Sequence, residues 1–452
     1  MKFQIILLLG ICLFIYPMDI RIDNSLFNLV TTLVFLYINL LYVKKVKGGN
    51  FLCFEFLFAL SFGLSCFLYP FIIDGFDAYL MKRYTYSEIF KNRVSIICMM
   101  GYLFYMLGLL IGSRNSNNNV GLKYSYNPNI NKFKGPINTI STLFILSFFA
   151  VGGYKMLFLY TGGYDYANEL RTSYGKLLVY ISILLNVATA INFMSLRHDQ
   201  KYNLRQLLKS IDRAYLINIL FMSIFILVAG LRSAFLQLFL PFVFLIFLFI
   251  RVKPISILLL MIGGVIGMSA ISFLRQGEAV NFESSIAFFR DFLGANSANL
   301  FLIDHVDSFE SAHFTNVINQ LLSIIPFAQS LFEPIFGDIV TESSSKFYTF
   351  YFDNTGNGLG TCIIGDLYYT GGIWATIVLM FILGVFIKYL YEKNNKYTMT
   401  MLLVLVGNSI FLSRVEYFYI VRNLSFSVII LFILSLFVSN GKYNSRIRIS
   451  NE

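Results

Sequence analysis

Six arginines flank apolar segments of this sequence and are the first candidates for chemistry. They are Arg171, Arg232, Arg275, Arg290, Arg414 and Arg422. A guanidinium group stays charged at every relevant pH and can bind two phosphate oxygens at once, so several arginines facing one cavity would suit a diphosphate-linked lipid. Arg232 is the most informative of the six arginines, because its turn in AGLRSAF is too short to tolerate a charge that has no function. The alternative is that each arginine only binds lipid headgroups at a helix end.

The segment DHVDSFESAH (304–313) places acidic side chains beside two histidines. If it is helical, Glu310 lies three residues before His313, and the carboxylate and the imidazole share one face. Such a pair can deprotonate a hydroxyl group, which makes Glu310 and His313 candidates for the catalytic base. Zinc is a weaker hypothesis, since the sequence has neither H-x-x-x-H nor a cysteine partner, and no metal is expected. A solvated acidic loop is the alternative.

Aromatic side chains are concentrated in FYTFYF (347–352). Sugar rings stack on aromatic faces, so Tyr348 and Tyr351 are candidate substrate contacts. Aromatic residues are also common at the interfaces of any membrane protein, and this simpler interpretation stays open.

Several motifs of soluble-donor enzymes do not occur in the sequence. It has no P-loop, no G-x-G-x-x-G, no G-x-S-x-G and no H-E-x-x-H. It also has no Asp-x-Asp pair of the kind that often holds Mg²⁺ in nucleotide-sugar transferases. A lipid-borne donor therefore fits better than a soluble activated one, and no cofactor is expected.

Composition indicates an integral membrane protein. Of the 452 residues, 57% are hydrophobic and 13% are charged, with a mean hydropathy of +0.70. A soluble domain carries about 25% charged residues. The net charge of +11 lies in short connectors between apolar runs rather than in a compact basic domain, so nucleic acid is not an expected partner.

Apolar runs of membrane-spanning length follow one another along the chain. A span needs roughly 20 apolar residues, which gives about twelve candidates. They are 3–18, 26–43, 51–73, 94–112, 137–159, 175–194, 214–230, 233–250, 255–274, 366–391, 398–413 and 421–438. The prediction is an all-α polytopic membrane protein, with residues 1–452 forming a single integral membrane domain.

The distribution of Lys and Arg predicts the orientation. If the N-terminus is inside, the inside connectors carry more of these residues, over shorter loops, than the outside connectors. The positive-inside rule then predicts two cytoplasmic termini, with tails at 1–2 and 439–452.

One long polar segment, residues 275–361, separates the ninth candidate span from the tenth and is predicted to be an outer, periplasmic loop. Within it, 284–303 is predicted to form an amphipathic helix, and 317–336 to lie on or dip into the membrane interface. Residues 342–360 are predicted to form an irregular, solvent-accessible rim.

A coupled transporter is less well supported. Charges deep inside the candidate spans are almost absent, and no inverted repeat is evident. Any chemistry is therefore expected at the outer surface.

Three segments together resemble the bacterial O-antigen or oligosaccharide repeat-unit polymerases. AGLRSAFLQLFLP (229–241) is similar to the glycine-arginine turn that opens a span in that family. LLSIIPF (321–327) is similar to its Ile-Pro segment late in the outer loop. GLGTCIIGDLYYTGGIWATIVLMFILGVFIKYLY (358–391) resembles its returning span. The likeness covers roughly residues 171–422.

The resemblance implies a metal-independent glycosyltransferase of the inner membrane that joins polyprenyl-diphosphate-linked oligosaccharides into O-antigen or capsular polysaccharide. It makes Arg171, Arg232, Arg275 and Arg414 the candidates for binding phosphate. Arg290 is a further substrate-binding candidate. Membrane lipids are implied partners, and a chain-length regulator protein is a further candidate. Sugar identity does not follow from the resemblance.

Two other functions share much of this pattern. An O-antigen ligase uses the same chemistry and a long outer loop, but its acceptor is a lipid A core. A flippase for lipid-linked oligosaccharides shares the span count and the charge, but it should show repeats and a polar lumen. The segment 358–391 favours the polymerase.

Overall fold

The fold is helical wherever the computed structural model describes the chain. It describes residues 1–47, 51, 53–67, 86–111, 130–158, 163–196, 202–250, 296–306, 312–325, 328–337, 343–349, 360–393 and 395–449. Within these ranges there is no β-strand, which confirms the all-α prediction.

The helices are numbered here in chain order. The first nine are α1 (Lys2–Ile15), α2 (Asn24–Val46), α3 (Phe54–Cys66), α4 (Glu88–Leu110), α5 (Asn131–Ala150), α6 (Gly163–Met194), α7 (Leu204–Ser210), α8 (Arg213–Val228) and α9 (Arg232–Phe249). The others are α10 (residues 296–304), α11 (Ala312–Ile324), α12 (Ala328–Phe336), α13 (Ser344–Tyr348), α14 (Ile363–Glu392), α15 (Lys396–Asn408) and α16 (Tyr417–Ile449). A 3₁₀ turn, Leu412–Arg414, precedes α16.

Six described helices are long and apolar enough to cross a membrane, or seven if the bent α7–α8 pair counts as one span. They are α2, α4, α5, residues Ser173–Met194 of α6, α14, and residues Tyr417–Val438 of α16. The sequence-based count of twelve is therefore not confirmed, nor is the position of the long loop. Several apolar runs fold as helices too short for a span, and the predicted ninth span, 255–274, lies outside the described residues.

The contacts divide the chain into two compact units. The first contains Met1–Gly121, Ser285–Glu392 and Ser409–Arg422, and the second contains Leu122–Ser284, Lys393–Asn408 and Asn423–Glu452. The single membrane domain stays a prediction.

Part of the predicted rim is ordered and buried. Residues 344–348 form α13, whose N-cap Ser343 accepts a hydrogen bond from the Lys346 backbone N–H. Tyr348 is buried in a cluster with Phe301, and its hydroxyl is hydrogen-bonded to the Ser297 hydroxyl. For residues 344–348 the expectation of an irregular, solvent-accessible segment was wrong, because Phe347 and Tyr348 pack against α10.

In the first unit, glycines bring α14 into backbone contact with α4. A Cβ atom at Gly384 would lie 2.1 Å from the Tyr105 carbonyl oxygen, and one at Gly108 would lie 2.3 Å from the Phe381 oxygen. Small residues at such a crossing are typical of packed membrane helices. The contact fixes α14, which carries the polar site described below.

A buried ion pair holds the other end of α14. Lys47 Nζ lies 2.7 Å from Glu55 Oε1, and both side chains are buried. The Tyr42 and Tyr391 hydroxyls each donate to this carboxylate at 3.1 Å, and Lys47 lies over the Tyr391 ring. The pair joins the ends of α2 and α14 to the start of α3. Such pairs tolerate burial when further hydrogen bonds satisfy the charged groups.

In the second unit, α8 and α9 meet at a tight turn that begins before Arg232. Gly230, at φ 72°, occupies the left-handed position after α8. Its N–H donates to Leu227 O at 3.0 Å, and the Leu231 N–H donates to Ile226 O at 3.1 Å, which together form a Schellman motif. Arg232 is therefore the first residue of α9 rather than part of the turn, and α9 has no side-chain N-cap.

Candidate functional site

Asp366, in the first turn of α14, is fully buried and receives four hydrogen bonds. Its Oδ1 accepts from Ser344 Oγ at 2.6 Å, Gln320 Nε2 at 2.8 Å and Asn316 Nδ2 at 3.3 Å. Its Oδ2 accepts from the Tyr417 backbone N–H at 2.9 Å. These donors come from α11, α13 and the start of α16, so one carboxylate joins four segments. We call these five residues the Asp366 cluster.

The members of the cluster are also hydrogen-bonded to one another. Asn316 donates to the Thr370 hydroxyl at 2.7 Å and accepts from the Ser344 backbone N–H at 3.1 Å. Gln320 donates to Asn316 Oδ1 at 3.0 Å and accepts from the Phe418 backbone N–H at 3.2 Å. A network satisfied in this way is rigid, because breaking one bond leaves a buried polar group without a partner.

The helix that carries Asp366 is broken five residues later, at Gly371. Gly371 and Gly372 have non-helical backbone angles, and Gly372, at φ 65° and ψ −155°, has a conformation that favours glycine. This Gly-Gly pair separates the short segment that carries Asp366 from the rest of α14.

Glu416, the chain neighbour of Tyr417, adjoins the cluster, and Arg414 lies two residues before it; both are partly exposed. Glu416 Oε1 accepts from Ser345 Oγ at 2.7 Å and from the Ser345 backbone N–H at 3.4 Å. Arg414 is the last residue of the 3₁₀ turn. The residue before it, Ser413, has its hydroxyl hydrogen-bonded to the Ser65 hydroxyl at 3.0 Å. A partly exposed carboxylate can accept a proton and a guanidinium can bind phosphate, whereas both oxygens of the buried Asp366 are occupied by hydrogen bonds that hold other segments in place.

The residues chosen from the sequence are divided between the units. Arg171 in α6 and Arg232 at the start of α9 belong to the second unit, while His313 in α11, Tyr348 and Arg414 belong to the first. Four predicted residues, Arg275, Arg290, Glu310 and Tyr351, lie outside the described part of the chain, as do the side chains of Arg171, Arg232 and His313. The prediction that the arginines share one cavity stays a prediction.

Two predicted residues have described side-chain surroundings that bear on their roles. Tyr348 is 1% exposed, so its ring packs within the protein in this structure instead of presenting a face to a sugar. The Arg422 guanidinium lies 4.4 Å above the Tyr419 ring. The substrate role of Tyr348 stays a prediction.

Sequence reasoning did not select Asp366 or Glu416 as site residues. Asp366 was counted as the first residue of an apolar span, although a carboxylate there is costly unless it is paired or hydrogen-bonded. That cost was the available signal. Its donors lie 46 to 51 residues away along the chain, or 22 for Ser344, so no local pattern could identify them.

Among the described residues, no group of three or more His, Cys, Asp or Glu side chains is arranged to hold a metal ion.

The helices and the Asp366 cluster define a multi-pass helical membrane protein with a rigid polar site at the start of one candidate span. The chain belongs to the family of the O-antigen polysaccharide polymerase Wzy, whose family model matches residues 1–443. This confirms the resemblance found in the sequence. No curated protein and no solved structure matches the chain.

Membership assigns the chain to polysaccharide biosynthesis, broadly as an O-antigen polymerase of glycosyltransferase type. The family acts on lipid-linked oligosaccharide repeat units in membranes. With its apolar helices, the chain is a multi-pass protein of the inner membrane.

Proposed function

We propose that this chain joins polyprenyl-diphosphate-linked repeat units into O-antigen or capsular polysaccharide at the outer face of the inner membrane. The family match over residues 1–443 carries the proposal. The proposal includes cytoplasmic termini, a periplasmic location for the 275–361 segment and a reaction that needs no metal. It also keeps a chain-length regulator protein as a candidate partner.

The proposed reaction transfers the growing glycan from one lipid carrier to the next repeat unit. The acceptor hydroxyl oxygen forms a bond to the anomeric carbon of the donor, while the bond from that carbon to the diphosphate oxygen breaks. The electron pair leaves with the polyprenyl diphosphate, and the hydroxyl proton passes to a base. Charge accumulates on the departing diphosphate, so positioned cations should lower the barrier.

Arg232 is the leading candidate for contact with the diphosphate. It begins α9, whose N-terminus has no side-chain cap. The first N–H groups of a helix and the positive end of its dipole both favour phosphate, and an arginine at the same point adds a bidentate donor. These features support the role without depending on any other arginine.

Glu416 is a third candidate for the catalytic base, beside Glu310 and His313, and it lies in the described part of the chain. Its carboxylate is partly exposed, and the rigid Asp366 cluster adjoins it through the Tyr417 backbone N–H. Glu416→Gln is expected to lower the polymerisation rate at least about 10²-fold, because an amide cannot take the proton. The rate is measured with purified protein and lipid-linked repeat units.

Ser345→Ala is the matched control for that variant. It removes the hydroxyl that donates to Glu416 but leaves the carboxylate in place, so polymerisation should stay near normal. Normal polymer from Glu416→Gln would reject Glu416 as the base and leave Glu310 and His313 as candidates.

The polymerase assignment itself is tested by the glycan profile of a deletion strain, run on a gel beside the wild type. We expect the polymer ladder to disappear while single repeat units still cap the surface lipid. Loss of all surface glycan, with lipid-linked repeats accumulating inside, would instead indicate a flippase. Long polymer retained on polyprenyl diphosphate would indicate a ligase.

A further inference from the structure

Helices α11 and α12 bury polar side chains and expose apolar ones, which is the reverse of the arrangement in helices of a water-exposed loop. The polar side chains Asn316, Asn319 and Gln320 are buried, and Gln329 of α12 donates to the Asn319 carbonyl at 3.3 Å. The large apolar side chains point outward instead: Leu321, Ile325, Leu331, Phe332 and Ile335 are exposed, with Leu331 and Ile335 each 70% exposed. In water this arrangement would expose the apolar face that such helices normally bury.

The sequence of this helix pair contains a single formal charge, Glu333 in α12. No Asp, Glu, Lys or Arg occurs between Glu310 and Glu333. The two helices have 13 and 9 residues, too few for either to cross a membrane that needs roughly 20. Helical backbone satisfies most of its own hydrogen bonds, so short helices are compatible with a lipid environment when protein holds their polar side.

The polar side of the pair is held by α14 and α16. Asn316 and Gln320 donate to Asp366, and Gln320 accepts from the Phe418 backbone N–H. Beyond its glycine break, α14 exposes the apolar residues Trp374, Val378 and Ile382, as a lipid-facing span does. Within the first unit, the helix pair therefore packs against a helix with a lipid-facing surface of its own.

We propose that α11 and α12 form a re-entrant helix pair whose outer face contacts the acyl chains of the bilayer. Leu321, Ile325, Leu331 and Ile335 provide the lipid contact, while the inner face holds Asp366. The inference goes beyond the polymerase function and does not depend on it. It places the Asp366 cluster below the membrane surface rather than in an aqueous loop.

Tryptophan fluorescence tests this directly, because Trp374 is the chain's single tryptophan. Full-length protein is reconstituted into phosphatidylcholine vesicles with ordinary or brominated acyl chains, and iodide is added as a quencher in water. Trp374 of the unsubstituted protein, 74% exposed on α14, gives the reference for contact with lipid. Leu331→Trp and Ile335→Trp are each made in a Trp374→Phe background.

Brominated lipid is expected to quench the emission of both introduced tryptophans by as large a fraction as it quenches that of Trp374. Iodide is expected to leave their emission unchanged. The water-side control is Arg205→Trp in the same background, because Arg205 is exposed on the short charged helix α7; it should show the reverse pattern. Quenching of the first two variants by iodide would overturn the proposal in favour of a water-exposed loop. Quenching by neither agent would also overturn it, since a protein segment or a second copy would then cover the face.

Discussion

Arg232→Ala is expected to abolish the polymer ladder while the protein stays in the membrane at its normal level. Removing a donor that stabilises a developing charge lowers a rate about 10²- to 10³-fold, and a loss of that size leaves no visible ladder. Arg232 is well placed for such a role because it begins α9, where the helix N-terminus also favours an anion. The ladder is read on a gel of surface glycan, and the protein level by immunoblot of the membrane fraction.

Arg205→Ala is the matched control, since Arg205 is an exposed arginine of α7 in the same unit. It should leave the ladder unchanged. Arg232→Lys then tests geometry, because lysine keeps the charge but cannot bind two phosphate oxygens side by side. Full polymer from Arg232→Lys would show that charge alone suffices, and full polymer from Arg232→Ala would rule out the diphosphate role.

Asp366→Asn is expected to have the second large effect. An amide at this position keeps one oxygen for the three side-chain donors, but it turns an NH₂ group toward the Tyr417 backbone N–H that now donates to Oδ2. Leaving a buried donor without an acceptor costs about 1–3 kcal/mol of folding free energy. Helices α11 and α13 and the start of α16 meet at this carboxylate. We therefore expect Asp366→Asn to make no polymer, although the protein still folds, with a lower thermal unfolding midpoint.

The same substitution at Asp304 provides the control, since Asp304 is exposed on α10. Asp304→Asn should leave both the ladder and the unfolding midpoint near those of the wild type. An ordinary ladder from Asp366→Asn would show that the cluster does not position the groups that react.

The sequence was sufficient for the properties that depend on local pattern. Apolar runs predicted helices, and most described runs fold as helices near the expected places. Three motifs identified the family, which the match over residues 1–443 confirms. Span length was less predictable, because a run such as 51–73 contains only the 13 residues of α3 as described helix.

The candidate site was much less predictable, because its contacts connect distant parts of the chain. The sequence analysis gave no role to Glu55, yet this residue forms a buried ion pair with Lys47 and accepts a hydrogen bond from Tyr391, 336 residues away. Tyr348 was predicted to belong to a solvent-accessible rim, yet it is buried and its hydroxyl is hydrogen-bonded to the Ser297 hydroxyl. Such partners follow from packing, which the one-dimensional pattern does not contain.

The glycine crossing of α4 and α14 also limits which movements are open to the protein. Sliding one helix along the other by about one turn, roughly 5.4 Å, would bring a residue such as Phe104 or Met380 to the crossing in place of a glycine, and both carry a Cβ atom. The axial register of the two helices is thus locked. The contact therefore favours movement of the two helices as one rigid body over sliding of one along the other.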